Sequence, residues 1–197
     1  VDGISSYPVM KSNHSFDLLS CFPASAEPGK AFTSVTYSNL YFREPESRAD
    51  QTRMMSIVTT GAETGYYVDV FRSRKEKGGD KMHDYFYHNL GQTLTLTAAD
   101  GSDLNLQSTE ELAFAGAHLY AYSYLYDKKV AATNKDVKAT FTIDMKDKDG
   151  DDIYMNLWMK GEPDREVFTA LAPMTEGLSR TPNMPYNIKE QPTLTFV

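Results

Sequence analysis

Apolar and polar residues alternate along this chain in short runs, with a period of two. The clearest case sets Val137, Ala139, Phe141, Ile143 and Met145 against Lys138, Thr140, Thr142 and Asp144. A period of two places one side of a strand on a core and the other in water. The segment Ile153–Met159 repeats it, with Ile153, Met155, Leu157 and Met159 on the inward side. The Asp149-Gly150 pair between the two runs predicts a hairpin. Further strands are predicted at Phe32–Phe42, Met54–Thr60, Tyr66–Arg72, Met82–His88, Thr93–Thr97, Leu119–Tyr126, Val167–Ala172 and Thr193–Val197. Many short strands with turn residues between them predict an all-β fold, an antiparallel β-sandwich. One short helix is expected near Ser108–Ala117, where Ser108 and Glu111 have capping-box spacing. Pro23, Pro28, Pro45, Pro182 and Pro185 fall in loops. No repeat or linker divides the sequence, so a single domain over residues 1–197 is expected.

Composition narrows the function classes. Charged residues make up 24% and hydrophobic residues 41% of the chain, the balance of a folded globular protein. No apolar run approaches the roughly 20 residues that span a bilayer. The net charge of −7 argues against a nucleic-acid partner, which would demand a basic footprint. The charge is unevenly spread. Arg72, Arg74, Lys75, Lys77 and Lys81 outweigh Glu76 and Asp80, leaving net +3 in one ten-residue stretch. Because screening confines such fields to about 10 Å, a basic loop on an acidic body can attract an acidic ligand. A solvated hairpin tip accounts for the same residues equally well. The single cysteine, Cys21, excludes an intrachain disulfide.

Metal and triad chemistries find little support. With Gly150 at position 6 of a calcium loop, positions 1 and 12 would be Met145 and Asn156, and neither is an acidic ligand. His83 and His88 are an odd number apart, so in a regular strand they point to opposite faces. Asp84 and His88 share a face, which favours a buried His bonded to Asp over a metal ligand. No nucleophile-elbow signature is present.

Aromatic residues are the richer clue. There are 13 tyrosines, and Tyr120, Tyr122, Tyr124 and Tyr126 alternate along one predicted strand face. Tyr154 and Trp158 lie on the face opposite Ile153, Met155 and Leu157. Such rings either stack on sugar C–H faces or stabilise the sheet as cross-strand pairs. On the predicted strand Met82–His88, alternation groups His83, Tyr85 and Tyr87 on one side. Met82 and Phe86 become the core-facing pair, and the ring-bearing side is expected to stay at least partly exposed.

The run Gly65–Gly91, GYYVDVFRSRKEKGGDKMHDYFYHNLG, carries a family resemblance. It resembles the "YxVDVFR…GG…HDYxxHxLG" segment in the C-terminal β-sandwich of heparinase II/III-like polysaccharide lyases. Tyr41–Arg53 and Thr181–Leu194 support it more loosely. Val1-Asp2-Gly3 is similar to the tail of that family's "HNTVxVDG" segment, and together with the run at Val197 this implies a module truncated at both ends. The resemblance implies β-elimination on uronate-containing glycans. A tyrosine or histidine takes the proton α to the carboxyl, and neutralisation of the carboxylate lowers the barrier. It also implies that the catalytic base sits in an N-terminal α/α toroid of the same protein, and that any metal site lies upstream of Val1. No catalytic residue is therefore assigned and no cofactor is expected in this chain, which alone should be inactive. His83, Tyr85, Tyr87 and His88 match the family's segment. With Arg72 and Arg74 they form the expected set of contacts to an acidic polysaccharide. A periplasmic, secreted or cell-surface location follows from the same resemblance. The alternative function is a non-enzymatic carbohydrate-binding or adhesion module.

Overall fold

A computed structural model describes residues 16–23, 34–44, 47–78, 82–111, 125–145, 151–172 and 193–196. Among them the protein is all-β, with antiparallel sheets and no helix. The chain divides into two compact units, Val1–His83 with Ala117–Leu119 and Asp84–Gly116 with Tyr120–Val197.

The first unit contains one four-stranded sheet, β1 (Asp17–Phe22), β2 (Val35–Arg43), β3 (Asp50–Thr59) and β4 (Gly65–Arg74), in sequential order. Sequential antiparallel neighbours need only short connections, and each supplies local contacts to the next. The β3–β4 turn requires a glycine, since a Cβ on Gly65 would come within 2.7 Å of the Val58 carbonyl oxygen. The β2–β3 connection closes on Glu44, which is fully buried. Its carboxylate accepts the Ser47 N–H, and its backbone exchanges hydrogen bonds with Arg48 and Ala49. On the central strand β3, Met54 and Ser56 are covered while Arg53, Met55 and Ile57 face water.

The second unit is a two-layer sandwich. One layer is β6 (Thr93–Ala98), β9 (Val137–Ile143) and β10 (Ile153–Met159), with β9 in the middle. The other has the order β5-β12-β11-β8-β7, from β5 (Tyr87–Asn89), β7 (Gln107–Ser108), β8 (Tyr126–Ala132), β11 (Glu166–Ala172) and β12 (Thr193–Phe196). Leu96, Val137, Ala139 and Phe141 of the first layer meet Ala131 and Val167 of the second in one buried cluster. Burial of this kind contributes about 25 cal/mol per Å² of apolar surface. On β11 the opposite side is covered as well, with Phe168, Ala170 and Ala172 all buried.

The strands expected at 137–145 and 153–159 pair antiparallel as a hairpin, with Ile143 opposite Ile153 and Val137 opposite Met159. Their turn, residues 146–150, lies outside the described residues. Four expectations need correction. Among the described residues, the strand expected over Met82–His88 is seen as Tyr87–Asn89, which pairs with β12. Met82 is therefore not core-facing but 63% exposed. Ile153 sits at the open end of its sheet and is exposed, not inward. Ser108 does not cap a helix: it pairs with Lys129 in β7, and it is Thr109 whose hydroxyl accepts the Glu111 N–H. The rest of that expected helix, and Tyr120, Tyr122 and Tyr124, lie outside the described residues.

Candidate functional site

In the first unit, Arg72 and Arg74 alternate on β4 and so share a face of the sheet. Pairing then adds residues that the sequence did not reveal. Arg72 stands across from Thr52, which stands across from Tyr41. Arg74 stands across from Asp50, which is in turn opposite Arg43. Arg43, Arg72 and Arg74 are all exposed, and they end one face of the sheet in positive charge. Arg74 also pairs with Glu76 at 3.3 Å, an exposed contact that water weakens. Within this group the Tyr41 hydroxyl donates to Asp50 Oδ1 at 2.6 Å. That hydrogen bond, helped by desolvation and the nearby carboxylate charge, raises the Tyr41 pKa above its ordinary value of 10.0. Tyr41 is thus a proton holder and hydrogen-bond donor at neutral pH, not a base. Arg43 is 31 residues from Arg74, and only the register of three strands brings them into one row.

His83 is exposed and falls in the first unit, at its boundary. Tyr85, Tyr87 and His88 belong to the second. Tyr85 is half-buried. Tyr87 packs against the sandwich core, its ring 5.7 Å from that of Phe141. His88 projects from the other side of β5 and stacks on Phe86, with centroids 6.3 Å apart and planes 8° from parallel. Phe86 in turn rests on Leu125, Ala170 and Ala172. His88 is exposed, contrary to the buried His expected from its spacing to Asp84. The Phe86 ring and its neighbours still desolvate it enough to lower its pKa below 6.5, so it is largely neutral at pH 7. A neutral imidazole can donate one hydrogen bond and accept another, which suits a sugar hydroxyl better than a carboxylate.

The loops at one end of the second unit form a third polar cluster. Asp136 accepts from Lys160 Nζ at 2.9 Å and from the Gly161 N–H at 2.7 Å, and both depress its pKa. Asp100, bonded by the Ser102 hydroxyl and N–H and then by Lys135, is held at about 2. Gly161 has no room for a side chain, because a Cβ would overlap the Asn134 carbonyl oxygen. The cluster ties three loops together through contacts it already satisfies, which is the chemistry of a latch. Among the described residues no group of three or more His, Cys, Asp or Glu is placed to hold a metal ion. No helix among them is long and apolar enough to cross a membrane.

The chain is similar in sequence to a polysaccharide lyase. It is 32% identical over 143 residues to an endo-acting ulvan lyase of Formosa agariphila, a match that covers 71% of this chain. The same match covers 17% of the relative, so the chain spans less than a fifth of that protein's length. No family model matches the chain, and no solved structure matches it.

Proposed function

We propose that this chain is the C-terminal β-sandwich module of a bacterial polysaccharide lyase that acts on uronate-containing glycans by β-elimination, and that the module holds the glycan without cleaving it. The observation that carries this reading is the 32% identity to an ulvan lyase over 71% of the chain. The resemblance of Gly65–Gly91 to heparinase II/III-like lyases supports the finer family and a partner toroid domain in the same protein.

Elimination needs a base, an acid and a group that neutralises the carboxylate, all converging on one sugar. Among the described residues the arginine row fits the last of these roles best. Tyr41 is held protonated by Asp50, and the arginines beside it offer planar, permanently charged donors for a carboxylate or sulfate. Of the other expected contacts, exposed His83 and His88 and half-buried Tyr85 are read as hydrogen-bonding contacts to sugar, each on its own unit, while Tyr87 is packed on Phe141. Any metal that the whole enzyme uses is assigned to residues outside this chain. The polymeric substrate places the enzyme outside the cytoplasm, in the periplasm, at the cell surface or in the medium.

The test is made in the full-length enzyme with Arg72→Ala and Arg74→Ala together. We expect KM for the acidic polymer to rise several-fold with kcat nearly unchanged, as for loss of uniform binding. The melting temperature should hold, since both side chains are exposed. A fall in kcat with KM unchanged would show that these residues act in the chemical step and would refute a purely holding role.

A further inference from the structure

The outer face of the three-stranded layer carries a feature that the set above does not use. Tyr154, Asn156 and Trp158 alternate on the edge strand β10 and stand opposite Thr142, Thr140 and Lys138 of β9. Their neighbours on β6 are Thr93, Thr95 and Thr97. Tyr154 is 58% and Trp158 56% exposed, although the side chains that alternate with them, Met155, Leu157 and Met159, pack on the core. Two large rings turned to water on one face offer a surface on which sugar rings can stack. Four residues of strand separate them by about 13 Å, the reach of a short oligosaccharide.

The polar residues between the rings indicate what that occupant is. Asn156 and Thr140 are hydrogen-bonded at 2.9 Å, which fixes the amide between the two rings. The remainder of the carpet is hydroxyl groups, able to donate and accept at once. Charge is graded along the face. Lys138 stands directly opposite Trp158, with the Lys160–Asp136 ion pair beyond it. At the other end Asp152 accepts from the Tyr154 hydroxyl at 3.4 Å. An anionic group is therefore favoured over Trp158 and a neutral, hydroxyl-rich ring over Tyr154. The buried centre of a protein interface is richer in apolar surface than its rim, and here threonines surround the two rings.

We propose that this face is a second glycan-binding platform, on which Trp158 and Tyr154 stack an acidic polysaccharide containing both charged and neutral sugars and Lys138 pairs with its carboxylate or sulfate. The proposal rests on the reading of the protein as a glycan-holding lyase module, but it concerns a different face and different residues.

The chain has a single tryptophan, so its fluorescence reports on this platform alone. The 197-residue chain is titrated with ulvan, and with dextran as the neutral polymer, while emission and iodide quenching are followed. Ulvan should shift the emission saturably and protect Trp158 from iodide, and dextran should do neither. Tyr154→Ala should weaken the apparent affinity roughly three- to tenfold. Lys138→Ala should weaken it at low salt and flatten the salt dependence. If ulvan retards the chain in an affinity gel while Trp158 stays open to iodide, the platform is wrong and the holding function stands. Equal responses to ulvan and dextran would overturn the acidic class of ligand. A Trp158 already shielded without glycan, in a chain that sediments as a dimer, would assign the face to self-association instead. Because the decisive reading is made on the unaltered chain, a variant that fails to fold leaves the test intact.

Discussion

Strands β3 and β9 are both central strands of antiparallel sheets, yet they treat their apolar residues differently. On β9, Val137, Ala139 and Phe141 are wholly buried between two layers, and the alternate residues are threonine and lysine. On β3, apolar residues come in adjacent pairs, Met54-Met55 and Ile57-Val58, so both faces receive some of them. Met55 and Ile57 are consequently exposed. Strict alternation marks a strand with one dry side, whereas doubled apolar residues mark one whose sides are less sharply divided. The second unit thus has the clearer core, and the first leaves part of its sheet exposed.

The largest test of that difference is Phe141→Ala. It should cost about 3–5 kcal/mol in denaturant unfolding, because it empties a fully buried site. Ile57→Ala on the exposed face of β3 should cost less than about 1 kcal/mol. Similar losses at the two positions would break the comparison. A step down in magnitude, Gly161→Ala should destabilise by about 1–3 kcal/mol, since the new methyl overlaps the Asn134 carbonyl and loop backbone must move. The first unit has its own vulnerable point at Glu44. Glu44→Ala leaves the Ser47 N–H without its carboxylate partner inside a closed loop, and about 1–3 kcal/mol should be lost in the same unfolding experiment.

The smallest effect concerns Asp100, fully solvent-exposed but held at about 2 by Ser102 and Lys135. A carboxyl with a depressed folded pKa stabilises above its unfolded value, near 3.8, and that stabilisation is lost as the pH falls toward 2. Asp100→Asn should therefore melt slightly below the parent protein at pH 6, with the two melting temperatures converging between pH 4 and pH 2. A difference that persisted at pH 2 would show that Asp100 acts through something other than its charge.

Much of the second unit was legible in the sequence, because β9 and β10 alternate cleanly and, Ile153 apart, cover what the alternation says they should. Strand β8 was not, since Asp127-Lys128-Lys129 carries no apolar signal. Asp127 adopts φ 46°, where the register between β8 and β11 slips. The run Met82–Phe86 reads as strand because it is aromatic, yet among the described residues the ladder with β12 covers residues 87–89. For the candidate site, Arg72 and Arg74 were legible as local charge, and Tyr154 and Trp158 as a shared face. The row Arg43, Asp50, Arg74 was not legible. It depends on strand register, which no local pattern specifies.

The central claim, that this chain holds an acidic glycan and does not cleave it, is tested most directly by electrophoresis of the 197-residue chain through a gel containing ulvan, with the gel then read for unsaturated uronate absorbance. Retardation that weakens with added salt, and no absorbance at any time, is the expected result. Migration unaffected by ulvan, or absorbance growing along the track of the protein, would contradict it.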